Sequence, residues 1–156
     1  MLSNSKLRVI SSVLVILSMA IPGQATAADR KVADAAADSS RGEIMVQLNK
    51  LVQAGDACRM AYVFRNGLDR TIGDLGIEVV VFDAAGQVIK LLAIAPGRLI
   101  AGKTRVKQYD VKGLNCKTVG RLLINDVSRC KGEGLDAQSC LDRLRPSTRI
   151  DVKLIN

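Results

Sequence analysis

Apolar and polar residues alternate with a period of two through most of the chain beyond residue 43. Ile44, Val46 and Leu48 alternate with Met45, Gln47 and Asn49. Cys58, Met60, Tyr62 and Phe64 alternate with Arg59, Ala61, Val63 and Arg65, and the two arginines mark the wet face, so Cys58 is expected to point inward. Ile77, Val79 and Val81 alternate with Glu78, Val80 and Phe82, and near the end Ile150, Val152 and Leu154 alternate with Arg149, Asp151 and Lys153. This period, with its β-branched and aromatic content, predicts half-buried strands.

Turn signals separate the runs: Asn66-Gly67, a hairpin signal at Asp83-Ala84-Ala85-Gly86, then Ala95-Pro96-Gly97, Ala101-Gly102-Lys103 and Lys112-Gly113. They leave seven predicted strands, at 43–52, 57–66, 75–83, 87–94, 103–111, 117–126 and 147–155. Leu135 to Leu144 breaks the pattern and predicts a short helix, with Asp136 as its N-cap and Arg145-Pro146 as its stop. Leu141 and Leu144, three apart, would dock it. The expected fold is all-β, an immunoglobulin-like β-sandwich of about seven strands with one short helix before the last, over residues 43–156.

The N-terminal third has another pattern. Lys6 and Arg8 precede an apolar run from Val9 to Ile21, followed by Pro22, Gly23 and Ala25-Thr26-Ala27. A charged start, an apolar stretch and an A-x-A site predict a signal peptide over 1–27, cleaved after Ala27 or Ala28. Thirteen apolar-run residues, diluted by three serines, fall short of the roughly 20 that a membrane span needs. No integral span is expected after cleavage. Residues 28–42, small and polar with no apolar stripe, read as a flexible leader. Of the net charge of +8, Lys6 and Arg8 lie in the signal, which leaves +6 on a mature chain of 129 residues. That charge favours anionic partners. The cations look scattered along the sequence, and with two Tyr, two Phe and no Trp the chain is poorly supplied for stacking nucleobases, so nucleic acid is not an expected partner.

The chain has no histidine, which removes Ser-His and Cys-His pairs, a His base and His metal ligands. All four cysteines, Cys58, Cys116, Cys130 and Cys140, follow the signal. Without a C-x-x-C or paired ligand spacing they read as two structural disulfides, for which three connectivities exist. Cys58 opens predicted strand two and Cys116 predicted strand six, at the same end of facing sheets, which favours Cys58–Cys116 and leaves Cys130–Cys140 to staple the helix to strand six. Asp83, Asp110 and Asp126 near strand ends read as turn caps, and Gly73, Gly76 and Gly86 as turn or bulge residues. Tyr109 and Leu114 read as core. No P-loop, nucleophile elbow or dinucleotide fingerprint is present, and no catalytic residue, cofactor or metal is expected.

Leu48-Asn49-Lys50-Leu51, Gly55-Asp56-Ala57-Cys58-Arg59, Val81-Phe82-Asp83 with Gly86, Ala101-Gly102-Lys103-Thr104, Gly113-Leu114-Asn115-Cys116 and Leu123-Ile124-Asn125-Asp126-Val127 before Cys130 together carry a resemblance. They resemble a family of small proteobacterial periplasmic proteins of unknown function, often labelled twin-arginine-signal domain proteins. The resemblance implies an extracytoplasmic β-sandwich with the same cysteine framework, and no activity. The signal here reads Lys6-Leu7-Arg8, without an Arg pair, which points to export in an unfolded state. The functional expectation is a non-enzymatic periplasmic module, structural or protein-binding, whose partner is an envelope protein. The alternative is a basic module for anionic envelope components such as lipopolysaccharide or cell-wall polymer.

Overall fold

The computed structural model describes residues 42–156. The expected signal at 1–27, and all of the expected leader except Gly42, lie outside the described residues. The remainder forms two four-stranded sheets. The first has the order β5-β2-β1-β7, built from β1 (Ile44–Ala54), β2 (Ala57–Asn66), β5 (Thr104–Lys112) and β7 (Leu144–Thr148). The second has the order β4-β3-β6-β8, built from β3 (Asp74–Phe82), β4 (Val88–Ile94), β6 (Arg121–Lys131) and β8 (Lys153–Ile155). A short helix, α1 (Ala137–Asp142), precedes β7.

Alternation places the core between the sheets. Ile44, Val46, Leu48, Cys58, Met60, Tyr62 and Phe64 project inward from the first sheet, and Leu75, Ile77, Val79, Val81, Leu122 and Ile124 from the second. Full burial of each large apolar side chain stabilises the fold by about 1.5–3 kcal/mol. The pairing of β1 with β2 shifts register between Leu48 and Lys50, so the apolar positions of β1 change parity and Leu51 also packs against the core.

Three expectations need correction. The predicted strand at 117–126 is displaced: Cys116–Thr118 is a 3-10 turn capped by Asn115, and β6 begins only at Arg121 and runs to Lys131. Its inward residues, Leu122, Ile124, Val127 and Cys130, are not evenly spaced, because two register shifts against β3 each add a residue to β6. Second, the predicted strand at 147–155 is two strands. β7 pairs parallel with β1, the chain bends from Arg149 to Val152, and β8 pairs parallel with β6 in the other sheet. The Thr148 hydroxyl sits inside this bend, accepting from the Ile150 N–H at 3.3 Å and lying 2.8 Å from the Val152 carbonyl. Third, the helix is shorter than expected. Asp136 caps it through the Ser139 N–H, with Ser139 Oγ returning to the Asp136 N–H, but it ends at Asp142. Leu144 and Pro146 belong to β7, an edge strand where a proline is tolerated.

Candidate functional site

The two disulfides join Cys58 to Cys116 and Cys130 to Cys140. Cys58 lies inward on β2, and Cys116 lies in the 3-10 turn between β5 and β6, where the chain crosses from the first sheet to the second. The bridge therefore ties β2 to that crossover and not to a strand of the facing sheet. The second bridge fastens α1 to β6, which fixes the intervening loop and the residues after the helix at one end of the sandwich.

That end is organised by Asn66. It is the last residue of β2 and fully buried. Its Nδ2 donates to the Arg70 and Leu99 carbonyls, both at 2.9 Å, and its Oδ1 accepts from the Leu68 N–H at 3.0 Å. One side chain thus holds both the β2–β3 and the β4–β5 connections in place. In sequence Asn66-Gly67 reads only as a turn signal, and nothing local shows that the amide is buried.

These connections bound two clefts. The larger, about 680 Å³, is lined by Arg65, Arg70 and Arg143, with Asp69 its acid and Leu68 and Leu135 its apolar walls. Arg70 Nε donates to Asp69 Oδ1 at 2.8 Å, and Arg70 Nη1 reaches the Glu133 carbonyl at 3.4 Å. The Arg70 hydrogen bond, aided by the charges of Arg70 and Arg143, holds the Asp69 carboxyl below its usual range. The smaller cleft, about 220 Å³, is lined by Arg98, Lys103 and Arg105 with Leu99 and Ile100. Arg105 Nη1 donates to the Arg98 carbonyl at 2.9 Å. The clefts are neighbours along the chain, with Gly102 lining the larger and Lys103 and Thr104 the smaller, and Thr104 is the direct cross-strand partner of Arg65. Cations that look scattered in the sequence are gathered here by the fold.

The outer face of the second sheet carries a different feature. Val80 pairs with Leu91 on one side and with Leu123 on the other, and Leu123 pairs with Ile155. The result is an apolar row across all four strands, on a face that antiparallel sheets usually leave polar. Leu91 is 72% exposed and Ile155 40%. In the neighbouring row the Arg121 guanidinium lies 4.5 Å over the Phe82 ring, so that aromatic is covered while the Leu91 end of the apolar row is not. β4, which carries Leu91, is an edge strand. The sequence predicts a strand here, at 87–94, and the topology shows that it lies at an edge.

The acids have mostly local roles. Asp83 caps the β3–β4 hairpin by accepting from the Gln87 N–H at 2.8 Å. Asp110 and Asp126 are not turn caps. Asp110, within β5, forms a two-point ion pair with Arg59 at 2.6 and 2.7 Å, which keeps its carboxyl below the usual range. Asp126 lies inside β6 between the two register shifts and accepts from the Val127 N–H at 2.7 Å. Gly86, at φ +82°, turns the hairpin, and Gly76 sits at a register shift where a Cβ would stand 2.9 Å from Ser128 Oγ. Tyr109 and Leu114 pack with the core.

No protein-family model matches the chain, and no curated protein matches it. Among solved structures the chain is similar to IrmA from Escherichia coli, with a TM-score of 0.56 and 16% sequence identity, over 67% of this chain and 90% of that one. At that identity the likeness shows the fold, a β-sandwich of two four-stranded sheets, and its two disulfides suit an oxidising, extracytoplasmic compartment.

Proposed function

We propose that this protein is a non-enzymatic periplasmic interaction module that binds an envelope protein by strand addition at β4. The observation that carries this reading is the apolar row Leu91–Val80–Leu123–Ile155, which ends at β4, an edge strand unpaired on its outer side among the described residues. A strand added there would gain backbone hydrogen bonds from the edge, and its residue opposite Leu91 would extend the row by one. The partner is thus an extended segment with an apolar residue in line with Leu91. The export-signal pattern, the motif resemblance to small periplasmic proteins and the paired cysteines support the address, and the lack of histidine supports a non-catalytic role.

A photoreactive residue placed at Ala93, which pairs with Glu78 two positions along the strand from Leu91, tests this. Irradiation of cells exporting the protein is expected to give one discrete adduct. L91D should remove the adduct without lowering the melting temperature, and the purified partner should slow hydrogen exchange of the β4 amides. An adduct that survives L91D, or β4 amides that exchange equally fast with and without the partner, would overturn the reading.

A further inference from the structure

We propose that the two clefts at the Asn66 end form one binding site for an anionic glycan, a saccharide chain bearing phosphate or carboxylate groups. The site stands apart from the apolar row and does not depend on it. Its charge is one-sided. Among the described residues Arg65, Arg70 and Arg143 line the larger cleft, Arg98, Lys103 and Arg105 the smaller, and Asp69 is the one acid on either lining. Glu133, whose charge reaches Arg70, stands just outside. Six cations against one acid, spread over two adjoining clefts, suit a ligand with several separated negative charges better than a single small ion.

Shape and wall chemistry narrow the class. The larger cleft, at about 680 Å³, is of a size that accepts one or two sugar rings. Leu68, Leu135, Leu99 and Ile100 offer apolar walls for the C–H faces of such rings. Among the described residues no aromatic lines either cleft, so they offer nucleobases no stacking platform. The concave wall also fits a chain better than a flat bilayer. Five of the six cations are arginines, whose planar forks match phosphate and carboxylate oxygens two at a time.

The cations are also held in advance. Asp69 fixes Arg70, the Arg98 carbonyl fixes Arg105, and Asn66 anchors the Arg70 and Leu99 carbonyls. The Cys130–Cys140 bridge restrains the segment that supplies Leu135 and Arg143. Such order lowers the entropy lost on binding.

Calorimetric titration of the oxidised, exported protein tests the site. The probes are a short oligogalacturonate, its uncharged methyl ester, a phosphorylated dextran oligomer and plain dextran. Polyglutamate and vesicles of phosphatidylglycerol serve as charge controls. The two charged saccharides are expected to bind, more weakly as salt rises, and their relative affinity tells carboxylate from phosphate. The uncharged forms should not bind. R65Q, R70Q and R143Q should each weaken binding about tenfold, the scale of a lost hydrogen bond to a charged group. R70K, which keeps the charge and loses the fork, should fall between. R59Q, whose partner Asp110 lies outside the clefts, should bind as the unaltered protein does. Thermal melts of the variants separate lost binding from lost folding. Absence of binding by the charged saccharides, equal affinity for polyglutamate or vesicles, or unchanged affinity in the three glutamine variants would overturn the proposal.

Discussion

Asn66 and Gly120 show how single residues set this fold. Asn66 makes three hydrogen bonds to two separate connections, so its removal strands the Leu68 N–H and the Arg70 carbonyl, while the Leu99 carbonyl keeps the Ile72 N–H at 2.9 Å. N66A is expected to cost about 2 kcal/mol, at one kcal/mol or so for each of the two orphaned groups. Urea denaturation at equilibrium measures it, and a loss under 1 kcal/mol would mean that the connections hold themselves. Gly120 is needed for space, since its N–H donates to the Phe82 carbonyl at 2.8 Å and a Cβ would collide with the Asp83 carbonyl oxygen. G120A should therefore destabilise by about 1–3 kcal/mol, the usual range for overpacking, read as a lower melting temperature. Neither role is visible along the chain. Alternation shows which way Cys58 and Phe64 point, because that depends on the strand alone. It does not show that Arg65, Arg70 and Arg143 converge, because that depends on how three loops meet at one end.

Elements were legible where the pleat is regular and obscure where it is not. β2, β3 and β5 lie within a residue or so of the predicted spans because their inward residues keep a period of two, and β4 does so too because its one register shift, at Ile89, falls near its start. β6 does not, since its two added residues space Leu122, Ile124, Val127 and Cys130 unevenly and hide its second half. The opposite failure occurs after Thr148. There alternation continues through Ile150 and Val152 while the chain leaves one sheet for the other, because both residues still pack against the core from the bend. The disulfides act across these irregular places. On the chain-entropy account, with 58 residues of separation, the Cys58–Cys116 bridge contributes about 4 kcal/mol, and the Cys130–Cys140 bridge, with a separation of 10, about 3 kcal/mol. Paired serine variants should lose about these amounts. If the loop after β6 builds the basic cleft, the C130S/C140S pair should weaken glycan binding more than C58S/C116S does, despite its smaller effect on stability. The reverse order would place the restraint on the clefts in the β2 crossover.

Across the whole molecule the two sheets meet around a small aromatic group, which ties overall stability to alkaline pH. Tyr62 and Tyr109 are the chain's two tyrosines. Their rings meet edge to face at 5.9 Å, and Phe64 stacks on Tyr62 at 6.0 Å. Burial raises the Tyr62 phenol far above its ordinary value, with Tyr109 adding a little. Among the described residues its hydroxyl meets only the Met60 sulfur, at 3.7 Å. Burial likewise pushes Tyr109 up to about 12, against a smaller opposing pull from the Ala95 backbone. That approach falls short of a hydrogen bond, since Tyr109 Oη is buried without a partner. Both folded values thus exceed the unfolded value of about 10. A group raised in this way keeps its proton more tightly when folded, so its contribution is fully present below about pH 10 and is lost as pH rises through the folded value. The lowered carboxyls of Asp69, Asp110 and Asp136 act with the opposite sign at the acid end, and their exposure keeps that effect small. Stability should therefore hold to about pH 10 and fall between about 10 and 12. The ultraviolet phenolate band should rise together with the loss of circular dichroism, since both phenols keep their protons well above pH 10 while the sandwich is folded. Y109F, which removes a hydroxyl with no partner, should keep or gain stability at neutral pH and move the alkaline midpoint upward. A phenolate band that rises near pH 10 while the fold remains intact would show that the two sheets open around Tyr109 without unfolding.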